Sequence, residues 1–516
     1  MNGKKPKMNA QFNELYERLK ASPKDWEKIR RVKKELSDLL TRAFQEDPSF
    51  VEHKYFGSTE SGNMLKWERD IDCMVAFLPY DSERFLEGVR RIEGLHDLKI
   101  RKSPIVSDIA AGIYNGEKVG IIGLGYGKDA TEDLEGDVWN HPEFSKGTLV
   151  PEQQREVVLG KIFFKVLGLS KKSIAGGFAV EQLITRYRTF ENLLKVLATN
   201  QNIRVDFSGK YSGEENSFVI SYPYCGLENL AKNFSPEDRA KVAEYASKIL
   251  DNPQRFLEDA INGFNRYLWQ QRAKEIGETK KFGSPDIHLT RKENRILRRE
   301  LKSTSLRRIL DVGCANGYST LEISAGLDSE VIGIDNNEEV ISIANKLGSD
   351  NPNVSFRVGT ANNLQFEDSS FNAVIMKRTI GNIPSRDQQR KAIRECYRVL
   401  KPNGKLYLFD GILEDFERFS RIRRRFGLPE IVQPNHTYVL RKKELEEIID
   451  PFELQRIVDQ TGTYQVLTKI VYPFFHKFFG GNLNKLKFDT SFHNFAANLP
   501  SFDKRSLSRL YIYIKK

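Results

Sequence analysis

The 516-residue chain is poor in the residues that staple or anchor a fold. Its four cysteines, Cys73, Cys225, Cys314 and Cys396, lie far apart, with no CxxC pair and no histidine cluster beside them. Neither a disulfide framework nor a structural zinc is suggested, which points to a reducing compartment. No stretch approaches the roughly 18 apolar residues of a membrane span. The polar start, MNGKKPKMNAQF, has no apolar leader core. The expectation is a cytoplasmic protein without a membrane partner. No internal repeat is visible.

What is present describes a soluble, multidomain chain. Hydrophobic residues make up 39% and charged residues 29%, a balance that supports packed cores and argues against long disorder. The length exceeds one ordinary core. A formal charge of +11 is modest for this size and equally compatible with solvated lysines or a polyanionic partner.

Along the chain, DWEKIRRVKKELSDLLTRAF places Ile29, Val32, Leu36, Leu39 and Leu40 on one helical face. Short strand-like runs follow, and Asn115-Gly116 between two apolar runs predicts a hairpin. From Pro151 the pattern turns helical, with Ser235 as an N-cap ahead of Pro236. Residues 273–305 are charged and broken by Gly-Ser-Pro, which reads as a linker or adaptor helix; from Arg308 strands alternate with helices. The expected domains are 1–148, 149–272, the connecting stretch 273–305, and 306–516. Their fold classes are a small mixed α/β domain, a helical middle domain and a doubly wound α/β domain.

The stretch YFGSTESGNMLKWERDIDCMVAF contains the first chemistry. In a strand Asp70 and Asp72 would share a face, roughly 6.6 Å apart at the backbone, with Ile71, Cys73 and Val75 toward the core. Two such carboxylates can jointly hold Mg²⁺, a cation that completes its octahedron with phosphates and water. Gly57 and Ser58 can bring backbone N–H groups and a hydroxyl to a triphosphate. This Gly-Ser and Asp-x-Asp pattern resembles the polymerase-beta-like nucleotidyltransferases, more specifically the archaeal-type (class I) CCA-adding tRNA enzymes. HPEFSKGTL, REVVLGKIFFKVLGL and AGGFAVEQLITRYRTFENLLKVL agree in order. The likeness spans about residues 10–270. It implies an α+β catalytic domain with catalytic, metal-binding Asp70 and Asp72. It also implies nucleotide-binding Gly57 and Ser58, ATP or CTP as substrate, and a tRNA-like RNA partner. One position departs: KVGIIGLGY puts Gly120 where the family carries a third catalytic aspartate, which in two-metal transfer helps bind the activating metal. Asp108 and Glu117 are near in sequence but off the equivalent strand position. The front half is thus an altered enzyme or one that binds without transferring.

The second chemistry begins at RRILDVGCANGYSTLEIS, a strand, a glycine turn and a helix. Asp311 ends the strand, Gly313 and Gly317 let backbone approach a ligand, and EVIGIDNN ends a second strand in Asp335, where a carboxylate can accept ribose hydroxyls. A third unit runs through VSFRVGTANNLQFEDSSFNAVIMKRTIGNIP, and AIRECYRVLKPNGKLYLFDG adds a helix, an expected Pro-Asn-Gly turn and a strand. The turn lacks GxGxxG, and the run is similar to class I S-adenosylmethionine-dependent methyltransferases. That resemblance implies a Rossmann-like sheet with Asp311, Gly313, Ala315, Gly317, Asp335, Asn336, Thr360, Ala361 and Lys377 around the cofactor. Thr360 stands where an aspartate often meets adenine, and Asn372 replaces an aspartate of the family pattern. Transfer from an activated sulfonium needs alignment more than acid–base help.

The acceptor-binding candidates are Arg378, Arg424, His436 and Tyr438. Arg421, Arg423 and Arg425 share the run with Arg424, where an arginine cluster can clamp phosphate or simply form a solvated helix face. YPFFHKFFGGNL and FHNFAANLPSF concentrate aromatics, as a stacking surface or a cap over the sheet, and RLYIYIKK alternates as an edge or closing strand. Three functional readings follow. The first is a bifunctional protein acting on RNA such as a tRNA 3′ end. The second transfers nucleotidyl and methyl groups to a small molecule or glycan, and the third uses a non-catalytic nucleotide-binding module to tether a methyltransferase.

Overall fold

The computed structural model describes residues 8–65, 70–102, 108–125, 149–169, 177–199, 203–210, 219–221, 229–231, 234–302, 307–431, 437–483, 486–502 and 506–516. The chain divides into two compact units, Met1–Ile261 and Asn262–Lys516.

In the first unit, helix Pro23–Phe44 is started by Ser22, whose side chain and Asp25 form a capping box. Its face of Ile29, Val32, Leu36, Leu40 and Phe44 is buried against strands β1 (Phe50–Phe56), β2 (Ile71–Phe77), β3 (His96–Lys102), β4 (Asp108–Tyr114) and β5 (Glu117–Gly125). The sheet order is β1-β2-β5-β4-β3. Strands β2 and β5 are parallel, and the other neighbours are antiparallel. Asn115 and Gly116 both take positive φ, 49° and 75°, and close the expected hairpin between β4 and β5 with the left-handed pair that its twist demands.

Helices Gln153–Val166, Gly177–Tyr187, Phe190–Ala198 and Pro236–Asp251 follow, with strands β6 (Arg204–Val205) and β7 (Val219–Ile220) paired between the last two. Ser235 caps its helix through Asp238, with Pro236 in the first turn. Phe12, Phe163, Phe190 and Phe256 interlock by ring edges and tilted faces in the core of this helical part.

The second unit is built on β8 (Arg308–Val312), β9 (Glu330–Asp335), β10 (Val354–Val358), β11 (Phe371–Lys377), β12 (Leu400–Asp410), β13 (Glu453–Val458) and β14 (Arg509–Ile514). The order is β10-β9-β8-β11-β12-β14-β13. The first five strands are parallel, and β14 runs antiparallel to both neighbours. Apolar runs such as FNAVIMK bury both faces of the sheet, as parallel strands covered by helices require.

Three expectations are revised by this fold. Helix Ile287–Lys302, in the stretch read as a linker or adaptor, places Ile296, Leu297 and Leu301 in the core against β8 and β9. Pro402–Gly404 is a bulge inside β12: the register jumps from Phe371↔Leu400 to Ala373↔Lys405, and Asn403 takes φ 62°. Its N–H is satisfied by the Lys515 carbonyl at 2.9 Å, so pairing with the chain end replaces a free turn. Finally, β14 is interior, with Leu510, Tyr511, Ile512 and Tyr513 buried, while the largely exposed β13 takes the edge.

Candidate functional site

In the second unit the chain leaves β8 for β9 and β10 on one side and returns to β11 on the other. The carboxyl ends of β8 and β11 therefore flank the point where strand order reverses, the place where open α/β sheets receive ligands. The turn there is tightly determined. Gly313 (φ 79°), Ala315 (φ 53°) and Gly317 (φ 76°) are all left-handed. The N–H groups of Gly313 and Cys314 donate to the Ile334 carbonyl at 2.8 and 2.9 Å. The Asn316 side chain faces away from the turn, donating to the Gly277 and Thr279 carbonyls at 2.8 and 3.1 Å. A Cβ at Gly317 would stand 2.6 Å from Cζ of the buried Phe356. Replacing Gly317 with alanine should therefore destabilise the fold by about 1–3 kcal/mol and weaken ligand binding together with it, as read from urea unfolding and calorimetry.

Asp335 ends β9. Its Oδ2 accepts the Ala315 N–H at 3.1 Å and its Oδ1 the Asn337 N–H at 3.1 Å; burial raises its pKa against those lowering hydrogen bonds. Asn336 beside it is exposed. Val358, the last residue of β10, pairs with Asp335, and the Gly359 N–H donates to the Asp335 carbonyl at 2.9 Å. This sets exposed Thr360 and half-buried Ala361 just beyond Asp335.

Asp311 is buried, and its Oδ2 accepts the Thr320 hydroxyl at 2.6 Å. Burial pushes its pKa up to about 6, with Asp335 adding to the rise and Thr320 and Lys377 opposing it. Lys377 ends β11 and donates to Asn294 Oδ1 at 2.5 Å and Ser319 Oγ at 3.2 Å. Burial draws its pKa down to about 8 although Glu293 raises it. Arg378, at φ 54°, pairs with fully buried Glu293 at 2.7 Å.

The candidate cofactor residues thus converge at the carboxyl ends of neighbouring strands, and their donor set fits an adenosylated sulfonium. A partly exposed carboxylate, Asp335, stands beside a turn without bulky side chains, and burial disfavours the ionised forms of Asp335 and Asp311, a cost that a cationic ligand at this place would relieve. The acceptor candidates are more scattered. The Tyr438 N–H donates to the Gly381 carbonyl at 2.6 Å and its carbonyl accepts from Gln389 at 3.0 Å, which keeps it near the end of β11. Arg424 is exposed and pairs with Glu430 at 3.2 Å on helix Leu413–Arg425. Buried Arg423 bonds the Pro429 carbonyl at 2.6 Å, and His436 lies outside the described residues. Sequence reading missed Glu293, Asn294, Ser319 and Thr320. The polar positions of the apolar-faced helix Ile287–Lys302, aimed at the strand ends, were the available signal.

In the first unit the Gly-Ser element and the two aspartates also come together. Gly57 (φ 71°) precedes the short helix Ser58–Ser61, and a Cβ there would lie 3.1 Å from Asp72 Oδ2. Gly120 is the register partner of Asp72 across β2 and β5, and a Cβ on it would stand 2.8 Å from Asp72 Oδ1. The pKa of Asp72 is pushed up to about 7 by burial and by Asp70, against the pull of Lys161. Lys161 is itself buried and bonded to Asn63, whose amide donates to Glu181 at 2.9 Å. Among the described residues no group of three or more His, Cys, Asp or Glu is placed to hold a metal. The pair Asp70 and Asp72 offers two oxygen donors suited to a hard divalent cation. Tyr80 occupies Asp108 through a 2.6 Å hydrogen bond, and Lys28 pairs with Glu117.

Comparison with known proteins adds independent information. Residues 309–404 match a family model described as a methyltransferase domain. A ubiquinone/menaquinone biosynthesis C-methyltransferase, UbiE, of Rickettsia prowazekii (strain Madrid E) is 35% identical over 175 residues, 31% of this chain and 68% of that protein. An uncharacterized methyltransferase, YcgJ, of Bacillus subtilis (strain 168) is 34% identical over 125 residues, 22% of this chain and 48% of that one. A demethylmenaquinone methyltransferase of Lactobacillus johnsonii is 34% identical over 110 residues, 20% of this chain and 42% of that one. The chain spans about half the length of the last two relatives and 68% of the first.

Proposed function

The chain belongs to the S-adenosylmethionine-dependent methyltransferases, and from that premise we propose that its second unit methylates an RNA, such as a tRNA 3′ end, handled by a nucleotide-binding first unit. The observation that carries the methyl-transfer half is the left-handed turn from Gly313 to Gly317 tied by its backbone to Asp335. The cofactor supplies an already activated methyl group. The protein's part is alignment: Asp335 would accept the ribose hydroxyls, Ala315 and Gly317 keep the turn free of bulk, and Asp311 fixes helix Tyr318–Ser324 through Thr320. Glu293 neutralises Arg378 and leans on Lys377, which limits the positive charge beside a cationic cofactor.

The RNA half of the reading rests on the first unit. Asp70 and Asp72 would share one Mg²⁺ with the phosphates of ATP or CTP, beside Gly57 and Ser58. Gly120 removes the third metal ligand, which favours binding over efficient nucleotidyl transfer. The names of the ubiquinone and menaquinone relatives favour a second reading, in which the acceptor is a small molecule.

One assay separates the two: purified protein with labelled S-adenosylmethionine, with and without a tRNA-like RNA, at low and physiological salt. RNA-dependent label transfer that falls steeply with salt is expected. Equal transfer to small acceptors without RNA would replace the first reading with the second.

A further inference from the structure

Near the end of the second unit the chain forms helix Gly462–Val466, a wider π-turn over Leu467–Val471 and helix Tyr472–Phe478 in unbroken succession. The wide turn precedes Pro473, which cannot donate to the ladder. Burial is lost toward the end of this rod. Tyr464 is 0% exposed and Ile470 5%, whereas Phe475 is 51%, Phe478 71% and Phe479 78% exposed. A helix end is normally polar, because its last carbonyls need partners. Here the final turn carries exposed Phe475 and Phe478 beside His476 and Lys477. Phe426 adds to the same cluster, its ring 5.5 Å from Phe474 and 47% exposed.

The rim of this cluster is cationic. Arg424 and Arg425 directly precede Phe426 and are exposed, and Arg421 lies one turn back on the same helix. The exposed Lys477 donates from Nζ to the Gly427 carbonyl at 2.5 Å, which places its charge beside the phenylalanines. Glu430, the salt-bridge partner of Arg424, is the carboxylate paired there. An exposed apolar cluster with a cationic rim has two complementary partners: an anionic lipid surface, or stacked bases on a phosphate chain.

The ring geometry separates them. Phe474 stacks on Phe478 with 6.2 Å between centroids, and Phe475 on Phe479 with 6.3 Å. Phe478 and Phe479 meet edge to face at 85°. Neighbouring rings, 5.4 to 6.3 Å apart, leave no slot in which a base could be clamped between two of them, and with Phe478 and Phe479 largely exposed the cluster presents a protruding hydrocarbon tip.

We propose that this tip is a peripheral membrane anchor, in which Phe475, Phe478 and Phe479 enter the acyl boundary of an anionic phospholipid bilayer while Arg421, Arg424, Arg425 and Lys477 meet its headgroups. The anchor needs no spanning helix, and among the described residues none is long and apolar enough to cross a membrane. It rests on neither acceptor reading.

The test is sedimentation of the full chain with phosphatidylglycerol vesicles and with phosphatidylcholine vesicles, for the wild type and for Phe478→Ser/Phe479→Ser. Both rings are largely exposed, so the variant should keep the wild-type unfolding midpoint, and that midpoint is measured alongside. The expected result is binding to the anionic vesicles that rising salt weakens and that drops at least about tenfold in the variant. No wild-type vesicle binding, or equal binding by the variant, overturns the proposal. So does a wild-type dimer that becomes monomeric in the variant, which assigns the tip to a second copy of the chain. Loss of single-stranded oligonucleotide binding in the variant, without vesicle binding by the wild type, assigns it to nucleic acid.

Discussion

Replacing Asp335 with alanine is expected to weaken S-adenosylmethionine binding by about 100-fold, roughly 3 kcal/mol, while lowering folding stability far less. The asymmetry follows from what the carboxylate does in each state. In the folded protein without cofactor it accepts two backbone N–H groups, from Ala315 and Asn337, and burial works against its charge. Removing it frees two donors but also relieves a desolvated anion, so the two effects offset. With cofactor bound, the same anion would accept ribose hydroxyls, and charged acceptors of this kind are worth about 1.5–3 kcal/mol each. Asp335→Asn keeps the shape and one acceptor oxygen and should fall between the two. Calorimetry of cofactor binding, set beside urea unfolding of the same three proteins, checks the prediction. Equal losses in both measurements would make Asp335 a structural tether and remove the main reason for placing the cofactor here.

Much of this arrangement is legible in sequence because it is local. A strand with Asp311 at its end, a turn with glycines at 313 and 317, and an aspartate closing the next strand are all set by short-range rules, and the structure places them together at the carboxyl ends of β8 and β9. The same is true of the capped helices at Ser22 and Ser235 and of the Asn115-Gly116 hairpin. What escapes the sequence is tertiary. Glu293 precedes Lys377 by more than eighty residues, and only the folding of helix Ile287–Lys302 onto the sheet brings them together. The strand β14 reads as an edge or closing strand from its alternation, but β13 pairs outside it, and Tyr511 and Tyr513 on one face and Leu510 and Ile512 on the other enter the two core layers. At Pro402–Gly404 the local turn chemistry is correct, yet pairing with the end of the chain absorbs it into a bulge.

The second large effect belongs to the first unit, where Asp72→Asn should stabilise the protein at pH 8 in the absence of divalent cations by roughly 2–4 kcal/mol. Burial and Asp70 raise the folded-state pKa of Asp72 from 3.8 to about 7, so the folded chain holds that proton more tightly than the unfolded chain does. The resulting stability is fully present below about pH 4 and is lost as pH rises through 7. At pH 8 the wild type therefore carries a buried, ionised Asp72 beside Asp70, with the Lys161 ammonium opposing the rise. The amide escapes that repulsion. At pH 5 the folded carboxyl is protonated while the unfolded one is already ionised, so the amide's gain there should be smaller, about 1–2 kcal/mol. Mg²⁺ should narrow the gap at pH 8 by stabilising the wild type alone, since only the ionised pair can ligate it. Urea unfolding at pH 5 and pH 8, with and without Mg²⁺, distinguishes the possibilities. A variant less stable than wild type at pH 8 would mean that the attraction to Lys161 outweighs the repulsion from Asp70. Asp72 would then be half of a structural ion pair, its charge already satisfied, and Gly120 would mark a site that has exchanged a metal for a lysine.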